Sequence, residues 1–552
     1  MTRRAAVAAL AALLVLVGCT APDGGGEPTS APSTEEPTSP SPTPSPTPDP
    51  ALSWGPTEAD LEQAMADAAA LSDEAAAGQV LIARYGGTDP TVPATLVSDL
   101  GLAGVILFTE NVASLDQVVA SSEAVQAAAA STRDWPAVVA VDNEGGVVQR
   151  LSAATGPWTT FPPFMAAGAA SGEPDVVAAA YEAMGRELLA SGITLNFAPD
   201  ADVTVGPADV TIGSRSASSD PQRAADAVVA ALDGFAAGGV LTSIKHFPGH
   251  GSLGVDSHDA LPVLEVPTAE LAQRDLVPFA AGVDAGAPMV MVGHIAVTDW
   301  DPGVPASLSP TAYTYLREQL GFTGVAVTDG LDMGALTAEY TDGQIAAHAL
   351  IAGADLLLSP RDVHAARDGI LAALADGSLS RERLTEAAGR VIALMRWQQQ
   401  LAVQADVDAD DIGAAGPAVA SLAAAAVTVV AGSCTGALAG PRIHVRGGST
   451  DDWDAFTAAA EAAGLQVVPL EQEADTEVRL LVEGSDAAAA ADVAIALDSP
   501  SVLAGSPAPT LIAGYGRTPQ TMAALAEVLA GSASAPGRLP VAVGELPASA
   551  CS

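Results

Sequence analysis

The chain has 552 residues, which is too long for one ordinary domain, so two or three domains are expected. Its 22 basic and 66 acidic residues give a net charge of −44, which excludes nucleic acid and anionic lipid as electrostatic partners. Aromatic residues make up only 4%, so Ala, Val and Leu must fill the cores. The three cysteines are too scattered for a disulfide framework or a zinc site, although Cys434 and Cys551 are able to pair in an oxidising compartment.

Residues 1–19 have the pattern of a bacterial lipoprotein signal peptide. Arg3 and Arg4 precede an apolar run over 5–17, which is too short to span a bilayer as a lasting helix. The run ends in Leu-Val-Gly-Cys, which resembles the lipobox in which the cysteine, here Cys19, is lipidated and becomes the new N-terminus. We therefore expect an exported protein that is lipid-anchored to the outer face of the cytoplasmic membrane; an ordinary cleaved signal is the alternative.

Residues 20–55 are predicted to form a disordered tether. Up to about residue 50 they consist mainly of Gly, Ser, Thr, Pro, Asp and Glu, with almost no apolar residues to form a core. The Ser-Pro-Thr-Pro repeat at 39–48 favours an extended, semi-rigid chain. Such a segment would hold a folded body away from the lipid surface.

Residues 56–402 are predicted to form an α/β domain, a (β/α)8 TIM-like barrel. Eight short apolar runs alternate with Ala-rich helical stretches, which is typical of a parallel sheet covered on both faces. An open doubly wound sheet is the alternative, but neither a dinucleotide-binding glycine motif nor a Walker loop is present. The predicted strands are 80–83, 104–108, 137–141, 195–198, 241–245, 289–293, 324–328 and 355–358.

Residues 412–552 are predicted to form a C-terminal α/β sandwich domain, which begins after an acidic break at 406–411. A helix is expected at 518–529, before the sequence Gly-Arg-Leu-Pro-Val at 537–541. The predicted strands are 426–430, 443–445, 467–469, 478–482, 493–496 and 510–512.

Acidic and basic side chains follow the ends of several predicted barrel strands. In a barrel these ends meet at one mouth, so their side chains are expected to line one site. A charged residue at one strand end alone would more often be a hydrogen-bonded loop carboxylate or a helix cap than part of a site. The residues at the third to seventh strand ends are Asp142, Asn143, Glu144 and Arg150; Asp200, Asp202 and Arg215; Lys245 and His246; His294; Asp329 and Asp332.

Three of the 7 histidines fall between 245 and 258, in Lys-His-Phe-Pro-Gly-His-Gly and the following Asp-Ser-His. A metal site is one interpretation, but Pro248 and Gly249 separate His246 from His250 and prevent a shared helix face. A serine hydrolase would need a nucleophile elbow, and no predicted strand ends in one. Lys245 could form a Schiff base, but its neighbours do not indicate carbonyl chemistry. Recognition of a polyol fits better, because these strand ends offer many directional hydrogen bonds.

These motifs together resemble glycoside hydrolase family 3. They are Lys-His-Phe-Pro-Gly-His-Gly, Asp-Ser-His, the block Asp-Asn-Glu-Gly-Gly to Gln-Arg, and Thr-Asp-Gly-Leu-Asp-Met. The loop of 245–251 with its downstream Asp-x-His resembles the bacterial β-N-acetylglucosaminidase (β-N-acetylhexosaminidase) branch. In the C-terminal region, Tyr515 to Thr518 and Gly-Arg-Leu-Pro-Val resemble the family's sandwich domain.

The resemblance implies a retaining mechanism, and we expect neither a cofactor nor a metal. Asp329 would be the nucleophile that forms a covalent glycosyl-enzyme, and His258 paired with Asp256 would be the acid/base. A neutral imidazole avoids placing a second anion beside the nucleophile, and Asp256 would fix its tautomer. The sugar-binding positions would be Asp142, Arg150, Arg215, Lys245 and His246.

Several positions depart from the family pattern or take supporting roles. Val147 stands where Arg is frequent, and Ser-Ala-Ser at 216–218 replaces Ser-Phe-Gly, which affects the expected substrate preference rather than the chemistry. Asp332 is interpreted as structural, His250 as part of the loop architecture, and His294 as a residue behind the site.

We expect the chain to release terminal N-acetylhexosamine from peptidoglycan fragments, chito-oligosaccharides or glycoconjugates. Phosphorolysis and β-glucosidase activity are alternatives within the family, and a non-catalytic sugar-binding lipoprotein is the alternative of another class. The motifs predict neither the oligomeric state nor the role of the C-terminal domain.

Overall fold

The computed structural model describes residues 51–151 and 156–551. The predicted signal peptide, Cys19 and most of the predicted tether therefore lie outside the described residues. Within those ranges, no helix combines the length and the apolar character that crossing a bilayer requires.

The N-terminal part is a nearly closed barrel of eight parallel strands. The order around the barrel is β11-β9-β7-β6-β3-β2-β1-β12, and one bridge between Val327 and Leu356 brings the two edges together. All eight predicted strands overlap the barrel strands. The strands are β1 Leu81–Arg84, β2 Gly104–Leu107, β3 Val138–Val141, β4 Asn143–Gly145, β5 Val148–Gln149, β6 Leu195–Asn196, β7 Leu241–Phe247, β8 Val263–Leu264, β9 Met289–Val292, β10 Ala296–Val297, β11 Val325–Thr328 and β12 Leu357–Leu358.

Helices cover the outside of the barrel, which explains why its strands are apolar on both faces: β2, β3, β9 and β11 are buried at every residue. Several of the helices begin at polar caps, among them Thr57, Asp220 and Thr341. They are α1 Glu58–Ala70, α2 Asp73–Gly78, α3 Thr91–Leu100, α4 Leu115–Ala130, α5 Met165–Ala169, α6 Pro174–Ala190, α7 Pro221–Ala237, α8 Thr268–Leu271, α9 Val277–Asp284, α10 Pro310–Thr314, α11 Gly334–Thr337, α12 Asp342–Ala352, α13 Val363–Asp376 and α14 Arg381–Ala405.

The C-terminal part is a mixed six-stranded sheet with helices. Its order is β13-β18-β17-β16-β14-β15, and β13 runs antiparallel to β18 while the other neighbours are parallel. The α/β class predicted from the sequence is confirmed. The elements are α15 Gly416–Ala426, β13 Thr428–Ala431, β14 Arg442–Gly447, α16 Thr450–Ala462, β15 Gln466–Val467, β16 Thr476–Leu481, β17 Val493–Ala496, β18 Thr510–Ala513 and α17 Pro519–Ala530.

The two parts share a hydrophobic core. Successive side chains of a strand point to opposite faces, so Val430 and Leu481 join the core that runs through the barrel, whereas Val429 and Leu480 join a separate core with Phe456 of α16. On the barrel side, α15 lies against α5 and α6. The sheet is therefore packed on both faces, once against the barrel and once under its own helices.

Polar contacts also hold the C-terminal part to the barrel loop that follows β6. Arg223 of α7 donates to the carbonyl oxygens of Leu539 (2.6 Å) and Arg538 (3.1 Å). Ser218 Oγ and the Ser219 amide both donate to the carbonyl of Pro540. The Gly-Arg-Leu-Pro segment therefore supports the loop that carries Arg215.

Cys434 and Cys551 form a disulfide between residues 117 positions apart. Replacing both with serine is expected to lower the free energy of unfolding by about 2–4 kcal/mol, because the cross-link restricts the unfolded chain. Chemical denaturation of the oxidised protein and of the double variant measures the difference. Reduction of the wild type should reproduce the loss; equal midpoints for the oxidised, reduced and serine forms would contradict the prediction.

Candidate active site

A pocket of about 390 Å³ lies at the carboxyl ends of the barrel strands. The walls come from the ends of β3, β7, β11 and β12, the β4–β5 hairpin and the loops after β6 and β7. The eight residues with a predicted catalytic or sugar-binding role all line this one pocket: Asp142, Arg150, Arg215, Lys245, His246, Asp256, His258 and Asp329. Of the other predicted strand-end residues, Asn143, Asp200, Asp202 and His294 do not line it.

Two cations and two carboxylates form a cluster on one side of the pocket. Lys245 Nζ lies 2.8 Å from Asp142 Oδ1 and 2.7 Å from Glu144 Oε1. Arg215 donates to both oxygens of Glu144 at 2.9 Å. Burial would raise the pKa of Glu144, but Arg215 and Lys245 outweigh it and hold this pKa far below its ordinary value. The cluster thus keeps Lys245 and Arg215 charged and fixed in direction.

His246 is held by a carboxylate behind it. Its Nδ1 lies 2.7 Å from Asp202 Oδ2, and Nε2 lies 3.5 Å from Arg215 Nη2. Asp202 Oδ1 also accepts the backbone amides of His246 and His250. This arrangement assigns the proton of a neutral ring to Nδ1, and it orients the ring edge toward the pocket.

Asp329 follows β11, and its side chain is fixed by its own turn. Its amide donates to the Val292 carbonyl (3.0 Å), and its Oδ1 accepts the Gly330 amide (2.7 Å). Burial alone would raise the pKa of Asp329, but His246, His294 and the Gly330 amide outweigh it and hold this pKa at about 2. The carboxylate is therefore ionised at neutral pH.

His294 supports this turn from behind. It is fully buried, its Nε2 donates to the Gly330 carbonyl (2.8 Å), and Nδ1 lies 2.8 Å from Ser307 Oγ. Burial lowers the pKa of His294 more than the nearby Asp329 raises it. The ring is thus a neutral support for the residue after Asp329.

The loop after β7 brings a histidine–aspartate pair to the pocket. Asp256 Oδ1 accepts both the His258 amide (2.9 Å) and His258 Nδ1 (2.8 Å). The side chain of His258 is 70% exposed, in contrast to the buried His246. With Nδ1 occupied by Asp256, Nε2 is the ring nitrogen that remains for proton exchange at the mouth.

The same loop is attached to the barrel at Ser257 and at His258. The amides of Gly334 and Ala335 donate to the carbonyls of His258 (3.0 Å) and Ser257 (3.2 Å). Ser257 Oγ also lies 3.2 Å from Nε2 of the buried His250. His250 therefore links the turn after Lys245 and His246 to the loop that presents the pair.

Arg150 and Asp332 also line the pocket, in different surroundings. Asp332 forms an ion pair with Arg84. Arg150 Nε is buried and has no hydrogen-bond partner within the described residues. The two residues therefore differ: Asp332 has a charged partner, whereas the buried Nε of Arg150 has none among the described residues.

The profile of the Glycosyl hydrolase family 3 N terminal domain matches residues 77–394, which is more than half of the chain. The chain belongs to glycoside hydrolase family 3.

Two relatives and one solved structure illustrate the similarity within glycoside hydrolase family 3. Beta-hexosaminidase A of Pseudoalteromonas piscicida is 34% identical over 332 residues, which cover 56% of this chain and 55% of that protein. Beta-hexosaminidase of Xanthomonas campestris pv. campestris (strain B100) is 38% identical over 260 residues, covering 47% of this chain and 76% of that one. The structure of a family 3 beta-N-acetylglucosaminidase from Paenibacillus sp. str. FPU-7 matches with a TM-score of 0.75 and 30% identity, covering 86% of this chain and 99% of that one.

The sequence motifs of this family 3 member left three buried acids without a role. Glu144 joins Lys245 to Arg215, and Asp202 orients His246. Asp200 lies 3.8 Å from both Arg215 and His246; burial and then repulsion by Asp202 raise its pKa well above the ordinary value. Glu144 stands in one of the family motifs, whereas Asp200 and Asp202 follow the fourth predicted strand. Only their contacts separate the three from ordinary loop carboxylates.

Asp200, Asp202 and His246 also have ligand atoms within 4.8 Å of one another, which is compatible with a metal ion by distance alone. Their chemistry does not favour one. Asp202 already accepts from the His246 ring and two amides, and the Arg215 guanidinium stands beside Asp200. A cation at this position would have to displace these donors and would be repelled by Arg215.

Proposed function

We propose that this protein is an exo-acting β-N-acetylglucosaminidase that cleaves with retention of configuration. Asp329 is the nucleophile, and His258 with Asp256 is the acid/base pair. The observation that carries the proposal is one pocket that holds an ionised carboxylate, a hydrogen-bonded histidine–aspartate pair and the Lys245–Glu144–Arg215 cluster. The names of the similar proteins support the N-acetylhexosamine substrate.

The proposed reaction has two steps. In the first, Asp329 attacks the anomeric carbon while the imidazolium form of His258 protonates the departing oxygen. In the second, the neutral imidazole removes a proton from water, which attacks the same carbon and releases Asp329 as a carboxylate. A histidine changes charge from positive to neutral in this cycle, so it never adds a second negative charge beside the glycosyl ester.

The charged cluster around Lys245 and Arg215 is proposed to bind the sugar. Charged donors and acceptors held in fixed positions recognise hydroxyl groups with strong directional hydrogen bonds. Asp142, Arg150, Arg215, Lys245 and His246 all line the pocket, and the cavity of about 390 Å³ suits one terminal sugar. An apolar ligand would take these polar and charged groups out of water without offering them hydrogen bonds.

A panel of 4-nitrophenyl glycosides tests this function directly. The N-acetyl-β-glucosaminide should be turned over at least about tenfold faster than the β-glucoside, and the first product should be the β-anomer by NMR. Product analysis with and without phosphate separates hydrolysis from phosphorolysis. Preference for the glucoside, an α-anomer as first product or sugar phosphate as the main product would each contradict a part of the proposal.

We also propose that the enzyme acts at the cell surface. The lipobox at Cys19, the Pro-rich segment after it and the Cys434–Cys551 disulfide, which suits an oxidising compartment, support this location. Replacing Cys19 with alanine should move the full-length protein from the membrane fraction to the soluble fraction; an unchanged distribution would argue against the anchor.

A further inference from the structure

A second cavity, of about 370 Å³, lies between the barrel and the C-terminal sheet. We name it the interdomain groove. Its lining includes Val147, Phe161, Pro163 and Ser214 from the barrel and Asp498 and Arg517 from the C-terminal part. The groove is therefore formed jointly by both parts of the chain.

The groove adjoins the sugar pocket. Val147 lines the groove, and the next residue, Val148, lines the pocket; the same holds for Ser214 and Arg215. The tip of the β4–β5 hairpin and the loop after β6 therefore form a partition between the two cavities. A substrate that extends out of the pocket over this partition would enter the groove.

The wall of the groove on the C-terminal side is fixed by hydrogen bonds and ion pairs. Tyr515 is fully buried, donates to Thr428 Oγ1 (3.0 Å) and has a φ of 57°, in the left-handed region that non-glycine residues rarely adopt. Arg517 follows, and its guanidinium binds Asp498 (2.6 Å) and Asp452 (3.3 Å). Its side chain remains 41% exposed. The turn thus presents a charged pair at the groove.

The composition of the groove indicates its ligand. Val147, which is 79% exposed, forms an apolar surface with Phe161 and Pro163. Asp498 and Arg517 provide acceptors and donors at the edge, as the hydroxyl groups of a pyranose require. With Asp452 included, the charged group carries a net charge of −1, which disfavours a ligand that bears carboxylates.

We infer that the interdomain groove is a second subsite, which binds a neutral sugar of the leaving group. This inference rests on the proposed glycosidase function. It gives the C-terminal region a role in substrate selection, and it favours chito-oligosaccharides over acidic peptidoglycan fragments as substrates.

The test compares kcat/KM for N-acetylchitotriose with kcat/KM for 4-nitrophenyl N-acetylglucosaminide, whose leaving group has no sugar. Asp498→Ala and Val147→Ser should each lower the ratio of the two values about tenfold. Val403→Ser provides a matched control, because Val403 is 77% exposed on α14 and lines neither cavity. Its ratio should equal that of the wild type.

An unchanged ratio in both groove variants, with wild-type melting temperatures, would overturn the subsite while leaving the glycosidase function intact. A wild type that cleaves an acidic peptidoglycan fragment more efficiently than N-acetylchitotriose would also overturn it. Failure of the wild type to cleave even the aryl N-acetylglucosaminide would instead refute the proposed function. The two failures are therefore distinguishable.

Discussion

Asp329→Ala is expected to lower kcat for 4-nitrophenyl N-acetylglucosaminide by roughly 10⁴-fold or more, because alanine cannot form the glycosyl-enzyme. The carboxylate is ionised, with a pKa of about 2, and its turn is fixed by Val292 and by the Gly330 amide. The wild type should therefore keep Asp329 ionised at every pH well above 2. Initial-rate kinetics of the purified variant measure the loss.

Asp332→Asn is the matched control, since Asp332 lines the same pocket but is paired with Arg84. Asp332→Asn should lower kcat by less than about tenfold, because it removes the ion pair with Arg84 and no group that bonds to the sugar. Added azide should restore part of the activity of Asp329→Ala by taking the place of the carboxylate and giving an α-glycosyl azide. Full turnover by Asp329→Ala would exclude Asp329 as the nucleophile.

The barrel could be predicted from the sequence because its strands are buried on both faces. Runs such as Val138–Val141 and Val325–Thr328 are continuously apolar, and such runs alternate with helical stretches. The β4–β5 hairpin and the short β8–β10 pair were not predicted. The polar residues of Asn143–Gly145 are typical of a loop. Their strand conformation depends on pairing with Val148–Gln149.

The site was predictable in its lining but not in its internal contacts. Strand ends converge in a barrel, so Asp142, Lys245 and Asp329 had to share one mouth. The sequence gives no distance between Glu144 and Arg215, which are 71 positions apart and form a bidentate pair. Such contacts depend on the exact placement of loops after different strands, which motif spacing along one chain does not encode.

The motif near the C-terminus illustrates the same limit. Gly-Arg-Leu-Pro-Val was recognisable as a pattern, yet its role appears only when Pro540 is seen to accept from Ser218 and Ser219. Ser216, in the segment that departs from the family pattern, donates to the Asp202 carbonyl (2.6 Å). These serines thus connect the residues behind His246 to the C-terminal part of the chain.

His258→Ala is expected to lower kcat/KM for N-acetylchitotriose by about 10³-fold, since general acid catalysis contributes about 10²–10⁴-fold for a leaving group that must be protonated. For a 2,4-dinitrophenyl glycoside, whose leaving group departs as a stable anion, the loss should be about tenfold or less. Asp256→Asn should show the same trend with smaller losses, because Asp256 holds the His258 ring through Nδ1. Steady-state kinetics with both substrates give the comparison.

The parameter kcat/KM is decisive here because it reports the steps up to formation of the glycosyl-enzyme, in which His258 acts as an acid. In contrast, kcat also includes hydrolysis of that intermediate, in which the same residue acts as a base and all substrates share one rate. His364→Ala controls for the loss of a histidine as such, since His364 is exposed on α13 and does not line the pocket. Equal losses of kcat/KM for both leaving groups would mean that His258 positions the substrate instead of donating the proton, and the acid would then have to be sought elsewhere at the pocket.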